Sequence, residues 1–192
     1  MSQKTETKSG KPLVVITGAS SGIGEACARL FNKEGYPLLL LARSKDDMEK
    51  KFGKMENVMI SEVDVCEHHD ICSALEKAEK SYGPCCCLIN NAGLLLLGKM
   101  EEQDLGEWKK MMDVNVGGVL HGIKCVLKTM KEHKCGTIIN ISSLAAKRHC
   151  ENQTMYCATK AAVHAITEGV RKEVAMCGVK VTTISPGLVE VK

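Results

Sequence analysis

Aromatic residues are scarce in this chain of 192 residues: one Trp, three Tyr and two Phe, 3% in all. A base-stacking surface needs more, so single-stranded nucleic-acid binding is excluded as a main activity. Charge of one sign is lacking as well. Lys and Arg total 26 against 23 Asp and Glu, an even mixture with formal net charge +3, which argues against both nucleic-acid and membrane-surface partners. No apolar run approaches the roughly 20 residues that cross a bilayer, so no membrane span is expected. No repeat, linker or low-complexity segment divides the chain. One domain is therefore expected over 11–192, after a polar, disordered arm over 1–10.

Cysteine is plentiful, with 11 residues. A chain of this length can build a core without staples and no secretory signal precedes it, so free thiols in a reducing, cytoplasmic compartment are expected. Cys85-Cys86-Cys87 stand directly before Leu88-Ile89 and read as filler of a buried strand. His68-His69 with Cys66 and Cys72 lack a paired zinc spacing, and no metal site is expected.

Pro12 to Thr17 is apolar and β-branched without polar alternation, as expected for a strand buried on both faces of a parallel sheet. Glycines follow at once. Glu25 to Glu34 then carries Ala26, Leu30 and Phe31 at helical spacing, with Gly35 as its stop. Further strands are predicted at Leu38 to Ala42, Val58 to Val63, Cys86 to Ile89, Thr137 to Ile141 and Val179 to Ile184. Helices are predicted at Lys45 to Phe52, Glu67 to Tyr82, Gln103 to Lys131 and Asn152 to Met176. Asn115 and Gly117-Gly118 fall inside the long helix, where propensity predicts a break, so tertiary packing is expected to hold that region. This alternation implies an α/β fold of βαβ units, a parallel sheet with helices on both faces.

Gly18-Ala19-Ser20-Ser21-Gly22-Ile23-Gly24 lies between the first strand and the first helix. Glycines there let the backbone approach a phosphate, which the free N–H groups of a helix N-terminus attract. The spacing is G-x-x-x-G-x-G, not the commoner G-x-G-x-x-G, and such a loop is by itself often only a turn; its placement favours dinucleotide binding. Tyr156 and Lys160 stand four apart and share one helix face. A cation beside a phenol favours the phenolate, bringing a group of pKa about 10 toward use near neutrality. The plain alternative is an exposed helical pair of little energetic weight.

Thr17-Gly18-x-x-x-Gly22-Ile23-Gly24, Asn90-Asn91-Ala92-Gly93, Asn115, Ser143, Tyr156-x-x-x-Lys160 and Pro186-Gly187, in this order, resemble the short-chain dehydrogenase/reductase family from about Lys11 onward. The resemblance implies a Rossmann-type, doubly wound parallel sheet in three αβα layers, binding NAD(H) or NADP(H). It implies cofactor contacts from Gly18, Ser20, Ser21, Gly22, Ile23 and Gly24, and from Asp64 and Val65 at the adenine. Asn91, Ala92 and Gly93 would line the adenosine side, Tyr156 and Lys160 the nicotinamide ribose, and Pro186, Gly187 and Val189 the carboxamide. The second strand ends Leu41-Ala42-Arg43-Ser44, without the carboxylate that holds a ribose 2′-hydroxyl. Arg43 can pair with a 2′-phosphate, which favours NADP(H) over the plain reading of a solvated arginine.

The resemblance also implies a catalytic set of Asn115, Ser143, Tyr156 and Lys160. Ser143 would hold the substrate oxygen, with Ser142 as the alternative, and Tyr156 would pass a proton. Lys160 would depress the tyrosine pKa, and Asn115 would bind a water linking Lys160 to solvent. The expected activity is interconversion of a secondary alcohol and a carbonyl on a small molecule; the alternative is an NADP(H)-binding or interaction protein without turnover. Homo-oligomerisation is implied through the helices around 114–131 and 154–176.

The chain reads Ser185-Pro186-Gly187-Leu188-Val189-Glu190-Val191-Lys192 at its end. In the family a helical lid over the substrate, a further helix and a seventh edge strand follow Pro-Gly. Six strands without the seventh, and a catalytic set without its substrate lid, are therefore expected. Small hydroxy acids, farnesol-like alcohols and steroids stay unranked as substrates.

Overall fold

In the first strand, Leu13–Thr17 (β1), every residue is buried. Successive side chains of a strand point to opposite faces, and here both faces are dry: Leu13 and Val15 enter one core cluster, Val14 and Ile16 the other. The computed structural model describes residues 10–190, and the expected N-terminal arm lies outside the described residues except for Gly10. The remaining strands are Leu38–Ala42 (β2), Val58–Glu62 (β3), Cys85–Asn90 (β4), Gly136–Ile141 (β5) and Val179–Ile184 (β6). They form one parallel sheet in the order β3-β2-β1-β4-β5-β6. The order reverses between β1 and β4, which opens a crevice at the carboxyl ends of those two strands.

Helices Gly22–Lys33 (α1) and Lys45–Phe52 (α2) supply Ala28, Met48 and Phe52 to one core. Helices His68–Tyr82 (α3), Leu105–Met112 (α4), Gly118–Glu132 (α5) and Thr154–Glu173 (α6) complete the set. From α3, α5 and α6, Ile71, Ile123 and Val163 pack into the other core. The α/β, doubly wound, three-layer expectation holds, with strand limits moved by at most a residue or two.

Three local expectations change. The long helix over Gln103 to Lys131 is α4 and α5 joined through a π-turn, Asp113–Gly117, which carries Asn115 in its middle with no exposed surface. Gly118 is required there because a Cβ would lie 2.8 Å from Val65 Cγ2. The helix predicted from Asn152 to Met176 is shorter at both ends, Thr154–Glu173. Finally, the thiols are not all free: Cys72 on α3 and Cys125 on α5 form a disulfide, while the other nine cysteines are unpaired. Composition cannot reveal a pair separated by 53 residues, which only the packing of α3 on α5 brings together. Cys85 is buried and Cys86 and Cys87 partly so, within β4 as expected.

Candidate active site

The carboxyl ends of β1 and β4 converge on one cleft of about 1000 Å³. After β1 the chain turns at Gly18, whose φ of +64° belongs to the left-handed region that glycine tolerates. A Cβ at Gly18 would lie 2.8 Å from Ala92 Cα, so the two loops touch through this glycine. Thr17 ties them further, since its hydroxyl accepts hydrogen bonds from the Asn91 and Ala92 amides, both at 3.0 Å. Asn91 returns the contact, its side-chain amide donating to the carbonyl oxygens of Thr17 and Gly18.

Ser20, Ser21, Gly22 and Ile23 line the cleft at the N-terminus of α1, and no side chain of Ser21 caps that end. Its free N–H groups therefore face the space where a phosphate would sit. Lys51, which sequence reasoning missed, braces this loop by donating to the Ser20 carbonyl oxygen at 2.7 Å and to Glu25 at 2.6 Å. Gly24 is different. It does not line the cleft; a Cβ there would collide with the Gly18 carbonyl oxygen and the Asn91 amide, so its function is close packing beneath the loop. Arg43 and Ser44 line the cleft just past β2, and Asp64 and Val65 past β3. The Cys66 backbone N–H, at 2.9 Å, and more weakly the Arg43 charge hold the Asp64 carboxyl below its ordinary pKa.

At the far end of the same cleft stand Ser143, Tyr156, Lys160, Gly93, Pro186, Gly187 and Val189. Ser143 begins a 3₁₀ turn, Leu144–Ala146, and accepts a hydrogen bond from the Ala145 amide. Ser142 is turned away: it is 4% exposed and donates to the Lys160 carbonyl oxygen at 3.0 Å. The two serines thus differ in their contacts. Ser142 fastens β5 to α6, and Ser143 has its hydroxyl in reach of the Tyr156 phenol.

Lys160 is 4% exposed, with Nζ 5.7 Å from the centre of the Tyr156 ring and donating to the Ile141 carbonyl oxygen at 3.0 Å. Gly93 makes the room, as a Cβ there would lie 3.4 Å from Lys160 Nζ. Burial disfavours the charged form and brings the Lys160 pKa down to about 8. The tyrosine departs from expectation. Burial raises its pKa above the ordinary phenol value, and the opposing hydrogen bond from Ser143 does not reverse this. Lys160 directs its ammonium at the Ile141 carbonyl oxygen, and burial of the phenol is the largest influence on its pKa.

Asn115 is held by its own side-chain contacts. It lies off the cleft lining. Both of its amide hydrogens are used, donating to the Leu94 carbonyl oxygen at 2.8 Å and to Thr159 Oγ1 at 3.0 Å. Thr159 in turn donates to the Tyr156 carbonyl oxygen at 2.7 Å, so the asparagine joins the loop after β4 to the first turns of α6. Five cleft residues on the segment between Ser143 and Tyr156 were also missed: Leu144, Ala145, Arg148, Cys150 and Gln153. The only available signal was their place between two singled-out residues.

The crevice of this doubly wound sheet thus holds a glycine loop at one end and a Tyr-x-x-x-Lys pair at the other, its lysine buried and its tyrosine partly so. The model of the short chain dehydrogenase family matches residues 12–192, and the chain belongs to that family of oxidoreductases. It is 40% identical over 180 residues to an uncharacterized oxidoreductase of Staphylococcus aureus strain MRSA252, covering 93% of this chain and 78% of the relative. It is 43% identical over 181 residues to one of Staphylococcus saprophyticus, covering 92% and 74%. Among solved structures, ElxO with NADP bound superposes with a TM-score of 0.89 at 30% identity, over 95% of this chain and 75% of that one. The serine dehydrogenase of Escherichia coli superposes with a TM-score of 0.88 at 30% identity, over 92% and 82%.

Proposed function

We propose that the chain is an NADP(H)-dependent oxidoreductase that interconverts a secondary alcohol and a carbonyl on a small molecule. The observation that carries this reading is the single cleft that holds the α1 N-terminus and Arg43 at one end and Ser143, Tyr156 and Lys160 at the other. The residues fit such a cofactor: the left-handed Gly18 and the uncapped α1 end suit a pyrophosphate, and Arg43 suits a 2′-phosphate. Two structural relatives, ElxO and serine dehydrogenase, are described with NADP bound, which supports the choice of cofactor. Asp64, Val65, Asn91, Ala92 and Gly93 would flank the adenosine, and Pro186, Gly187 and Val189 the opposite ring.

When bound, NADP(H) supplies or accepts the hydride. Ser143 would hold the substrate oxygen by hydrogen bonding. Tyr156, neutral at physiological pH because burial raises its pKa, is in the form that donates a proton to a carbonyl oxygen during reduction. Lys160 would bind ribose hydroxyls and re-protonate the tyrosine. Asn115 would act as a positioning residue, through Leu94 and Thr159, and Gly24 by packing. Homo-oligomerisation through the helices around 114–131 and 154–176 and a cytoplasmic location extend the reading, the latter supported by nine free cysteines. Among the described residues no helix is long and apolar enough to cross a membrane.

The test is NADPH oxidation by this chain across a panel of ketones, aldehydes and keto acids, with cofactor binding followed by thermal shift. Turnover that Tyr156→Phe abolishes while the thermal shift persists is the expected result. Turnover retained in Tyr156→Phe overturns the mechanism, and binding without turnover leaves a nucleotide-binding protein.

A further inference from the structure

The proposed reaction leaves unused a second cluster of reactive side chains, between α3 and α5. Each helix contributes a His and a Cys four residues apart, hence on one face: His68 and Cys72 from α3, His121 and Cys125 from α5. The helices pack together and the pairs meet. Cys72 and Cys125 are disulfide-bonded with Cα atoms 5.5 Å apart, and His68 Nε2 lies 3.4 Å from Cys72 Sγ. The ligating atoms of His68, Cys72 and Cys125 all fall within 4.8 Å of one another. The His121 ring stands edge-on to that of His68, centroids 5.7 Å apart. Its Nδ1 is 2.9 Å from the Val65 carbonyl oxygen. A carbonyl only accepts, so Nδ1 carries the proton and Nε2 keeps its lone pair.

We propose that these four side chains form a redox-governed binding site for a thiophilic divalent cation, Zn²⁺ first among them, present when the disulfide is reduced and absent when it is oxidised. Two cysteines and two histidines are a donor set that tetrahedral zinc takes. With metal–sulfur bonds of about 2.3 Å and metal–nitrogen bonds of about 2.0–2.1 Å, tetrahedral geometry sets a sulfur-to-nitrogen separation near 3.6 Å. The His68 to Cys72 distance of 3.4 Å is already close to that. The Val65 carbonyl on Nδ1 of His121 is the type of outer contact that orients a metal-binding imidazole. Access is open, because His68 is exposed and the cysteines are only partly buried.

The chemistry balances. A dithiol or phosphine reductant delivers two electrons, two protons join the separated sulfurs, and two thiols result. The cation then displaces both thiol protons to solvent and forms two metal–sulfur bonds. In the oxidised chain neither sulfur carries the thiolate charge that the cation needs, so disulfide and metal exclude one another.

Co²⁺ is the probe, since its thiolate complexes absorb by charge transfer. The full chain is reduced with a phosphine under nitrogen, freed of reductant and titrated with Co²⁺. One saturable Co²⁺ per chain is expected, displaced by Zn²⁺ and lost after oxidation with diamide. Cys72→Ser/Cys125→Ser, with its fold verified by far-ultraviolet circular dichroism, should lose this binding. His68→Ala and His121→Ala leave both sulfurs in place and should weaken it by at least about tenfold, the lower end of what even an outer contact costs. Reduced wild type that binds no more Co²⁺ than the double cysteine variant overturns the proposal. So does binding that neither histidine variant weakens, which would place the metal on the other cysteines.

Discussion

Asn115 and Leu94 exchange two hydrogen bonds: Asn115 Nδ2 donates to the Leu94 carbonyl oxygen at 2.8 Å, and Asn115 Oδ1 accepts from the Leu94 amide at 2.7 Å. A single side chain thereby stands in for a strand partner and pins the segment that follows β4 against the π-turn. Asn115→Ala strips both backbone groups of Leu94. At roughly 1–3 kcal/mol for each unsatisfied group, a loss of about 2–6 kcal/mol is expected, read as a lower urea midpoint at constant m-value. NADPH affinity should fall with it, since Asn91, Ala92 and Gly93 lose their anchor. Unchanged stability would show that the loop finds other partners.

Lys160 is held at a cost. Its folded pKa of about 8 lies below the ordinary 10.5, so the unfolded chain binds more protons between those values and the lysine makes stability rise with pH across that window. Below pH 8 both states are charged and the burial penalty is present in full. Lys160→Met should therefore abolish turnover while stabilising the fold at neutral pH by about 3 kcal/mol, an order-of-magnitude figure from the same shift. The gain should fade as pH rises through the window. Thermal melts at neutral and alkaline pH check this; a variant less stable at pH 7 would refute it.

In the proposed reading Arg43, which lines the cleft, sets the cofactor preference. Arg43→Glu puts a carboxylate where a 2′-phosphate would sit and where a 2′-hydroxyl would be welcome. NADPH affinity should drop by at least about tenfold and NADH affinity rise or hold, as removal of one charge-assisted pair costs roughly 1.5–3 kcal/mol. Fluorescence titration with both nucleotides decides it. Equal weakening of the two would mean a general defect of the cleft.

Gly24 separates packing from binding. Gly24→Ala adds a Cβ against the Gly18 carbonyl oxygen, where neither backbone can yield easily. Overpacking of this type costs about 1–3 kcal/mol, so the melting temperature should fall even without cofactor. Loss of NADPH binding at unchanged melting temperature would make it a direct contact instead.

Much of this protein was legible in its residues because each signal was local. A parallel strand buried on both faces must be continuously apolar, which Leu38 to Leu41 are, and a phosphate-binding turn must be glycine-rich directly after such a strand. Fold class and the order of strands and helices along the chain therefore followed from periodicity and spacing, while the site residues were named by the family resemblance of their motifs. What the tertiary structure alone decided depends on separations and depths that no spacing encodes. Directly after the π-turn, Gly118 packs against Val65, 53 positions away in the chain. That the Ser142 hydroxyl is consumed by the Lys160 carbonyl oxygen is likewise visible only in the fold. Tyr156 was expected to become acidic from its neighbour's charge, yet its pKa goes up, because desolvation depends on how deeply the phenol is buried. The nearness of His68, Cys72, His121 and Cys125 was invisible for the same reason: two pairs on separate helices come together only when α3 packs on α5.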